Sequence, residues 1–464
     1  MKNLISLFVL ASVLMFASCT TSTTTDVPAT PTNNLVVLEG EITTSRTLTA
    51  DKKYLLKGFV YVTNGATLTI NAGTVIFGDK DSKGSLIIEK GAKINANGTA
   101  AQPIVFTSNR PRGQRGYGDW GGLVLIGKAP HNQPVATTYE GGIRGAYEGF
   151  SDANDNSGTL RYVRIEFAGV ALTPSSNSEI NGLTLYGVGA GTTIEYVQVS
   201  YSGDDSFEWF GGTVNCKYLI AHRGWDDDWD TDHGYVGRVQ FGVALRDPLI
   251  ADVSGSNGFE SDNFNPGTPA TATNAGLPLT QPIFANMSNY VTVGTPSSAT
   301  QSGSGPYQRG MHLRRNTAIN IYNSVMVGYP EGLRLDGSTT IANATAGTLE
   351  LRGIVIANMT NNLVDGTGAA NQTVTDYFNS ATTPNRMNQI VSGTNLSTLM
   401  LNAANFNLTA PNFLPQTGSP LLTAANAVTL PTDAFFMSAP FRGAFGTVNW
   451  TAGWANFDPQ NTDY

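Results

Sequence analysis

The sequence predicts an all-β chain wound into a parallel β-helix of about 22 residues per coil, with long loops and a C-terminal cap. Three observations predict it. Short motifs recur at a fixed spacing. Runs of three to five residues alternate apolar and polar side chains and close on Gly or Asn. Glycine is abundant, 51 of 464 residues, and charged residues make up only 13%. Helix-favouring runs of Ala, Glu, Lys and Leu are missing, so the composition suits short strands and many turns.

The chain opens with Lys2, a 13-residue apolar run from Leu4 to Phe16, and then Ala17-Ser18-Cys19. Residues 1–18 read as a signal peptide ending in a lipobox-like site, with Cys19 the expected lipidation point. The run is too short to span a bilayer, which takes about 20 residues. Phe16 departs from the commonest lipobox, where Leu stands. Residues 19–36 are Thr- and Pro-rich and lack the apolar side chains of a core, so they read as a flexible tether. About 15 such residues reach on the order of 20 Å. Residues 37–464 form the body. With Cys19 lipidated, Cys216 is the one remaining thiol, which leaves no internal disulfide and no cysteine zinc cluster. It reads as a small buried residue.

Within the body, Gly65 to Ile76 and Gly84 to Ala96 repeat one alternating pattern, and Pro103 to Ser108 follows as a third kind of strand. The middle repeats more sharply. Tyr196-Val197-Gln198-Val199 returns 22 residues later as Tyr218-Leu219-Ile220-Ala221, and Asp205-Ser206-Phe207-Glu208 as Asp227-Asp228-Trp229-Asp230. Phe259 lies 30 residues beyond Trp229, and Met311 and Leu333 are again 22 apart. Such a period belongs to a solenoid whose insertions sit in loops. Phe207, Trp229, Phe259, Met311 and Leu333 are therefore expected to stack as an inward ladder. The stretches around 263–308 and 364–400 read as long loops leaving the helix. Phe441 to Trp454 is aromatic enough to cap the open last coil, whose edge would otherwise template aggregation.

Several motifs carry a resemblance. Gly118-Asp119-Trp120-Gly121-Gly122, Arg161 to Gly169, Trp225 to Asp232, Arg442-Gly443-Ala444-Phe445 and Trp450 to Trp454 resemble a poorly characterised family of secreted or lipid-anchored Bacteroidota β-helix proteins. The resemblance covers most of 37–464. It implies a right-handed helix of the pectin-lyase-like kind and association with outer-membrane transport systems, but no established activity. The expected location is the outer membrane, lipid-anchored at the cell surface, with the periplasmic face as the alternative.

The formal charge of −8 argues against nucleic acid, which wants basic patches, and against docking on anionic lipid. The membrane is met through the lipid anchor only. The charge is also local: the window 204–262 holds twelve acids and four bases, Lys217, Arg223, Arg238 and Arg246. If Trp229 points inward, Asp228, Asp230 and Asp232 point outward, and Glu208, Asp230 and Glu260 stack on neighbouring coils. Two carboxylates about 5 Å apart repel by roughly 3 kcal/mol at an effective dielectric of 20. Calcium held by Glu208, Asp228, Asp230, Asp232 and Glu260 is one answer. Salt links to the four bases are another, and a solvated or substrate-facing ridge is the third. Asp152 to Gly158 looks like a calcium loop but fails the EF-hand pattern at Ser157 and Val163, so it reads as a turn.

Catalysis has weaker support. Gly203-Asp204-Asp205, with His222-Arg223 one coil on, partly resembles the acid pair and histidine of β-helix pectinases. Asp204, Asp205, Asp227, His222 and Arg223 are the candidate catalytic residues. His222 lacks a preceding Gly, and neither an upstream Asn-Thr-Asp nor a following Arg-Ile-Lys is present. His233, His312 and Arg314 read as surface residues further along the same face. Trp209, Trp225 and Tyr235, beside the acids, are candidates for stacking on sugar rings. The leading expectation is a binding or scaffold lipoprotein for a glycan or a TonB-dependent transport protein. The alternative is a polysaccharide lyase or glycoside hydrolase acting on acidic glycans, and a purely structural surface protein is the third reading.

Overall fold

The computed structural model describes residues 34–171, 179–263, 276–291, 305–381 and 385–464. The signal peptide, Cys19 and the tether as far as residue 33 lie outside the described residues. From Leu35–Ile42 to Gln389–Val391, strands pair in parallel with those one coil before and one coil after. The body is a right-handed parallel β-helix. A two-stranded antiparallel pair, Val170–Ala171 with Glu179–Ile180, is a side feature.

The inward ladder is present residue by residue. Phe207 pairs with Trp229, Trp229 with Phe259, Phe259 with Met311 and Met311 with Leu333. All five are fully buried. The rings of Phe207 and Trp229 stack with centroids 5.3 Å apart, and Trp229 Nε1 donates to Asn289 Oδ1 at 3.0 Å. Each such side chain contributes roughly 1.5–3 kcal/mol by burial. Cys216 is buried in the same core.

One corner of the coil departs from the expectation that Gly or Asn closes each strand. Tyr162, Tyr196, Tyr218 and Phe241 turn the chain there with φ between +49° and +64°. The left-handed conformation costs a residue with a side chain about 1–2 kcal/mol. Their rings stack up the axis with centroids 4.4, 4.4 and 5.1 Å apart, and this offsets the strain. Later coils place Asn286, Asn323 and Asn358 at the same kind of corner.

Three expectations about loops and ends are corrected. The stretch 263–308 contains a nine-residue strand, Ile283–Val291, buried along nearly all its length. The stretch 364–400 contributes a helix, Gln372–Phe378, and the strand Gln389–Val391. The C-terminal segment is not an end cap but runs back along one flank. Asn323 exchanges two hydrogen bonds with Val428, Asp433 pairs with Arg238, and Tyr464 Oη donates to Glu166 at 2.6 Å. Trp450 and Trp454 lie against the stacked tyrosines at Tyr218 and Tyr196. The aromatic content of the segment matches this corner ladder, which runs along the solenoid rather than across its end. The last coils are met instead by two helices, α1 (Ser338–Ala346) and α2 (Gln372–Phe378). Their Ala344, Val374, Tyr377 and Phe378 join the main core.

Candidate functional site

Alternation along the strands Leu183–Tyr186, Phe207–Phe210, Trp229–Asp232, Phe259–Ser261 and Arg309–Leu313 sends every second side chain outward. In register, this builds an outward column of Thr184, Glu208, Asp230, Glu260 and His312, continued by Arg334. A second column holds Tyr186, Phe210 and Asp232. Earlier coils of this face are apolar at Tyr61, Ile87 and Val124. Tyr139, Ile143 and Tyr147, from the excursion between strands, cover them. That excursion ends in the predicted turn, with Asp152 Oδ1 accepting from Asn154 N and Asn156 Oδ1 from Gly158 N.

The turns entering these strands stack too. Asn181, Asp205, Asp227 and Asn257 each stand two residues before the inward residue of their rung, and Asp205 Oδ1 accepts from Asp227 N at 2.7 Å. Columns and turns enclose a cleft of about 870 Å³, lined by eleven carboxylates and by Arg314 and Arg315. Three sets of carboxylates bring oxygens within 4.8 Å of one another: Asp204–Asp205–Asp226, Asp205–Glu208–Asp230 and Asp227–Asp230–Glu260.

Two of the window's four bases pair with window acids, as the salt-link alternative expects, but with none that lines the cleft. Arg246 is fully buried and pairs with Asp228 at 3.0 Å, Arg223 pairs with Asp247, and Arg238 with Asp433. Lys217 stands over the Phe435 ring. Cations meet the acids at the Glu260 end, where Arg314 pairs with Glu260 and Asp262, Arg315 with Asp262, and His312 Nδ1 lies 3.2 Å from Glu260; His233 Nε2 lies 3.4 Å from Asp232. Burial, then neighbouring charge, pushes the carboxyls of Asp204, Asp205, Glu208, Asp226, Asp227, Asp230 and Asp232 well above the ordinary range. At Glu260 burial also pushes upward, but the hydrogen bond to His312 and the charge of Arg314 outweigh it and hold the group low.

Of the residues singled out from sequence, Glu208, Asp230, Asp232 and Glu260 line the cleft with Asp204 and Asp205, and Asp227 adjoins it. Asp228 does not. It sits at the corner before the strand settles into alternation, is fully buried, and neutralises Arg246. His222 and Arg223 are also elsewhere. They end a strand of a different face, and His222 Nε2 hydrogen-bonds Leu408 O of the C-terminal segment. Burial, with Arg223 adding to it, lowers the His222 pKa to about 3. Arg223 lies over the Tyr201 ring.

Trp209 and Tyr235 are interior residues, not stacking platforms. Trp209 shares the parity of Phe207, stacks on Tyr235 at 5.5 Å, and Tyr235 Oη donates to Val214 O. Trp225 is half-buried, edge-on to Tyr117. His233 lines the cleft, its Nδ1 2.7 Å from Tyr147 Oη, and Arg314 and His312 work within the acidic face instead of standing apart as surface groups.

Sequence reasoning missed Glu140, Glu179 and Asn181 in the lining. Glu140 arrives on an irregular segment and Glu179 on the short antiparallel strand Glu179–Ile180, and the period reveals neither. Asn181 had a signal, its offset from Leu183 matching that of Asp205 from Phe207.

Fold and cleft together define a right-handed β-helix protein with an acidic lateral cleft. The chain belongs to the pectate-lyase-like β-helix family, whose model matches residues 40–402. No curated protein and no solved structure matches it. Among the described residues no helix is long and apolar enough to cross a membrane.

Proposed function

We propose that the chain is a binding module that grips a glycan through divalent cations held in the acidic cleft. The observation that carries this reading is the carboxylate stack. Glu208, Asp230 and Glu260 lie on successive coils, Asp205 and Asp227 close on them, and arginine reaches only the Glu260 end. Carboxylates in this density are the ligand set of a hard cation such as calcium, which takes six to eight oxygens. Asn181 lines the cleft beside them. It is 3% exposed, its Nδ2 donates to Glu208, and its Oδ1 has no donor. Cations seated here convert an acid-repelling wall into one that receives the carboxylates or hydroxyls of a polysaccharide. Anchorage through Cys19 would present this wall at the outer membrane, where a TonB-dependent transport protein is the fitting neighbour.

The test is retention on immobilised acidic polysaccharides. Retention in calcium that is lost in chelator and in Asp230→Asn supports the reading. No retention in either condition overturns it.

Hydrolysis is the second reading, favoured by one observation: carboxyls held well above their ordinary range at Asp205 and Glu208 meet the requirement of a general acid. Release of reducing ends from acidic glycans, lost in Asp205→Asn, is its signature. A lyase has less to work with. Arg314 and Arg315 are engaged by Glu260 and Asp262, and His222 and Arg223 lie outside the cleft.

A further inference from the structure

We propose that two arginines stacked on a different face of the helix, Arg352 and Arg386, form a site for an oxyanion, either a free sulfate or phosphate or the sulfate group of a polysaccharide. The site lies apart from the acidic cleft and needs no cation. An outward column of Ala285, Tyr322 and Arg352 runs up the strands Ile283–Val291, Asn320–Tyr322 and Glu350–Arg352. Arg386 continues it. Asn323 N donates to Arg352 O at 2.9 Å, and one coil on Gly353 N donates to Arg386 O at 2.7 Å. Rungs about 4.8 Å apart set the two cations one above the other, where like charges repel unless an anion joins them.

The chain supplies no such anion. Four arginines are buried among the described residues: Arg115, Arg246, Arg386 and Arg442. Arg246 has Asp228 and Asn257 O, Arg115 has Pro459 O and Thr462 O, and Arg442 has Asn426 O and Met387 O. Arg386, 7% exposed, keeps Nε and Nη1 buried without an acceptor, and Arg352 Nε is in the same state. Glu350, on the Arg352 strand, accepts from Tyr322 Oη at 2.6 Å. Among the described residues no carboxylate forms an ion pair with either arginine. The Arg386 head lies over the Tyr377 ring, with Cζ 3.9 Å from the centroid. That ring is itself fixed, its Oη accepting from Leu351 N at 3.0 Å and donating to Leu349 O at 2.9 Å. It covers a flat face of the guanidinium and leaves the donors, which lie in the plane, unserved. A buried charge without a partner is costly. An oxyanion removes that cost, because a guanidinium fork meets two of its oxygens with parallel N–H bonds.

The experiment is calorimetric titration of sodium sulfate, and separately of dextran sulfate, into the full chain at fixed ionic strength. Chelator is present throughout, so cation-mediated binding in the cleft is silent and its failure is not confused with this one. Sulfate should bind the wild type, and Arg386→Met should weaken it by about tenfold or more, the loss expected for hydrogen bonds to a charged group. Arg352→Met should weaken it less. Arg161→Met, which removes an exposed arginine of the same face that pairs with Glu195, should leave binding unchanged. Dextran sulfate that binds more tightly than sulfate and loses affinity in Arg386→Met assigns the site to a sulfated chain. Equal affinities assign it to the free ion. Absence of heat from both ligands overturns the proposal, and so does wild-type affinity in Arg386→Met. Should that variant fail to fold, the half-buried Arg352 decides, and unchanged affinity in Arg352→Met overturns it.

Discussion

Replacing Asp230 with Asn should reverse its effect on stability according to whether calcium is present. Asp230 occupies the middle rung, paired in register with Glu208 and Glu260. Rungs are about 4.8 Å apart, and two full charges at that distance repel by about 3 kcal/mol at an effective dielectric of 20. Glu260 is already matched by Arg314 and His312, so Glu208 and Asp205 supply most of the repulsion. Protonation relieves part of it, because the Asp230 carboxyl is pushed upward by burial and by its neighbours. The cation-free Asp230→Asn protein should therefore be more stable than the wild type by about 1–3 kcal/mol. In calcium at about a thousand times its dissociation constant, the wild type gains about 4.1 kcal/mol by mass action, more than that difference, and the variant, short of a ligand, gains less. Thermal melts of both proteins in calcium and in chelator check this. The wild type should melt higher in calcium and the variant higher in chelator. Wild-type melts that coincide in the two conditions, or a variant that is weaker in both, would refute the reasoning.

Trp229→Ala should destabilise by about 3–5 kcal/mol through the cavity left between Phe207 and Phe259, read by denaturant unfolding; a loss under 1 kcal/mol would contradict the ladder as the core. His222 is buried and its pKa is lowered to about 3, so the unfolded chain binds its proton first as pH falls. Its contribution is complete above about pH 6.5 and is lost towards pH 3, up to about 4–5 kcal/mol. His222→Gln should flatten that acid limb by one proton, and an unchanged slope counts against the burial. Arg246→Met should cost about 3–5 kcal/mol by stranding Asp228, while Arg246→Met with Asp228→Leu should recover most of it. Equal losses in the single and double variants would deny the pairing.

The solenoid was legible because its signal is redundant. The interval separating Phe207 from Trp229 and Met311 from Leu333 recurs wherever a rung is regular, and one register error would turn a whole apolar set outward. The acidic column was legible for the same reason, since Glu208, Asp230 and Glu260 follow from the parity of their inward neighbours. Parity failed where strands begin or end. Asp228 stands at a corner, and its carboxylate went to a buried arginine that sequence spacing had assigned to the acids. It failed also for Trp209, whose closeness to acids in sequence suggested a sugar platform although it is two residues from Phe207 and shares its side. Tyr235 was misread for the same closeness. The arginines that close the column, Arg314 and Arg315, come from a coil more than fifty residues beyond Glu260, too far for local charge counting to include.

Anomalous diffraction from crystals grown in manganese or a lanthanide tests the central claim most directly, because it locates bound cations without assuming any activity. Strong peaks between Asp205, Glu208 and Asp230 are the predicted result. Crystals showing no peak in the cleft, with carboxylates in the same positions, would contradict it.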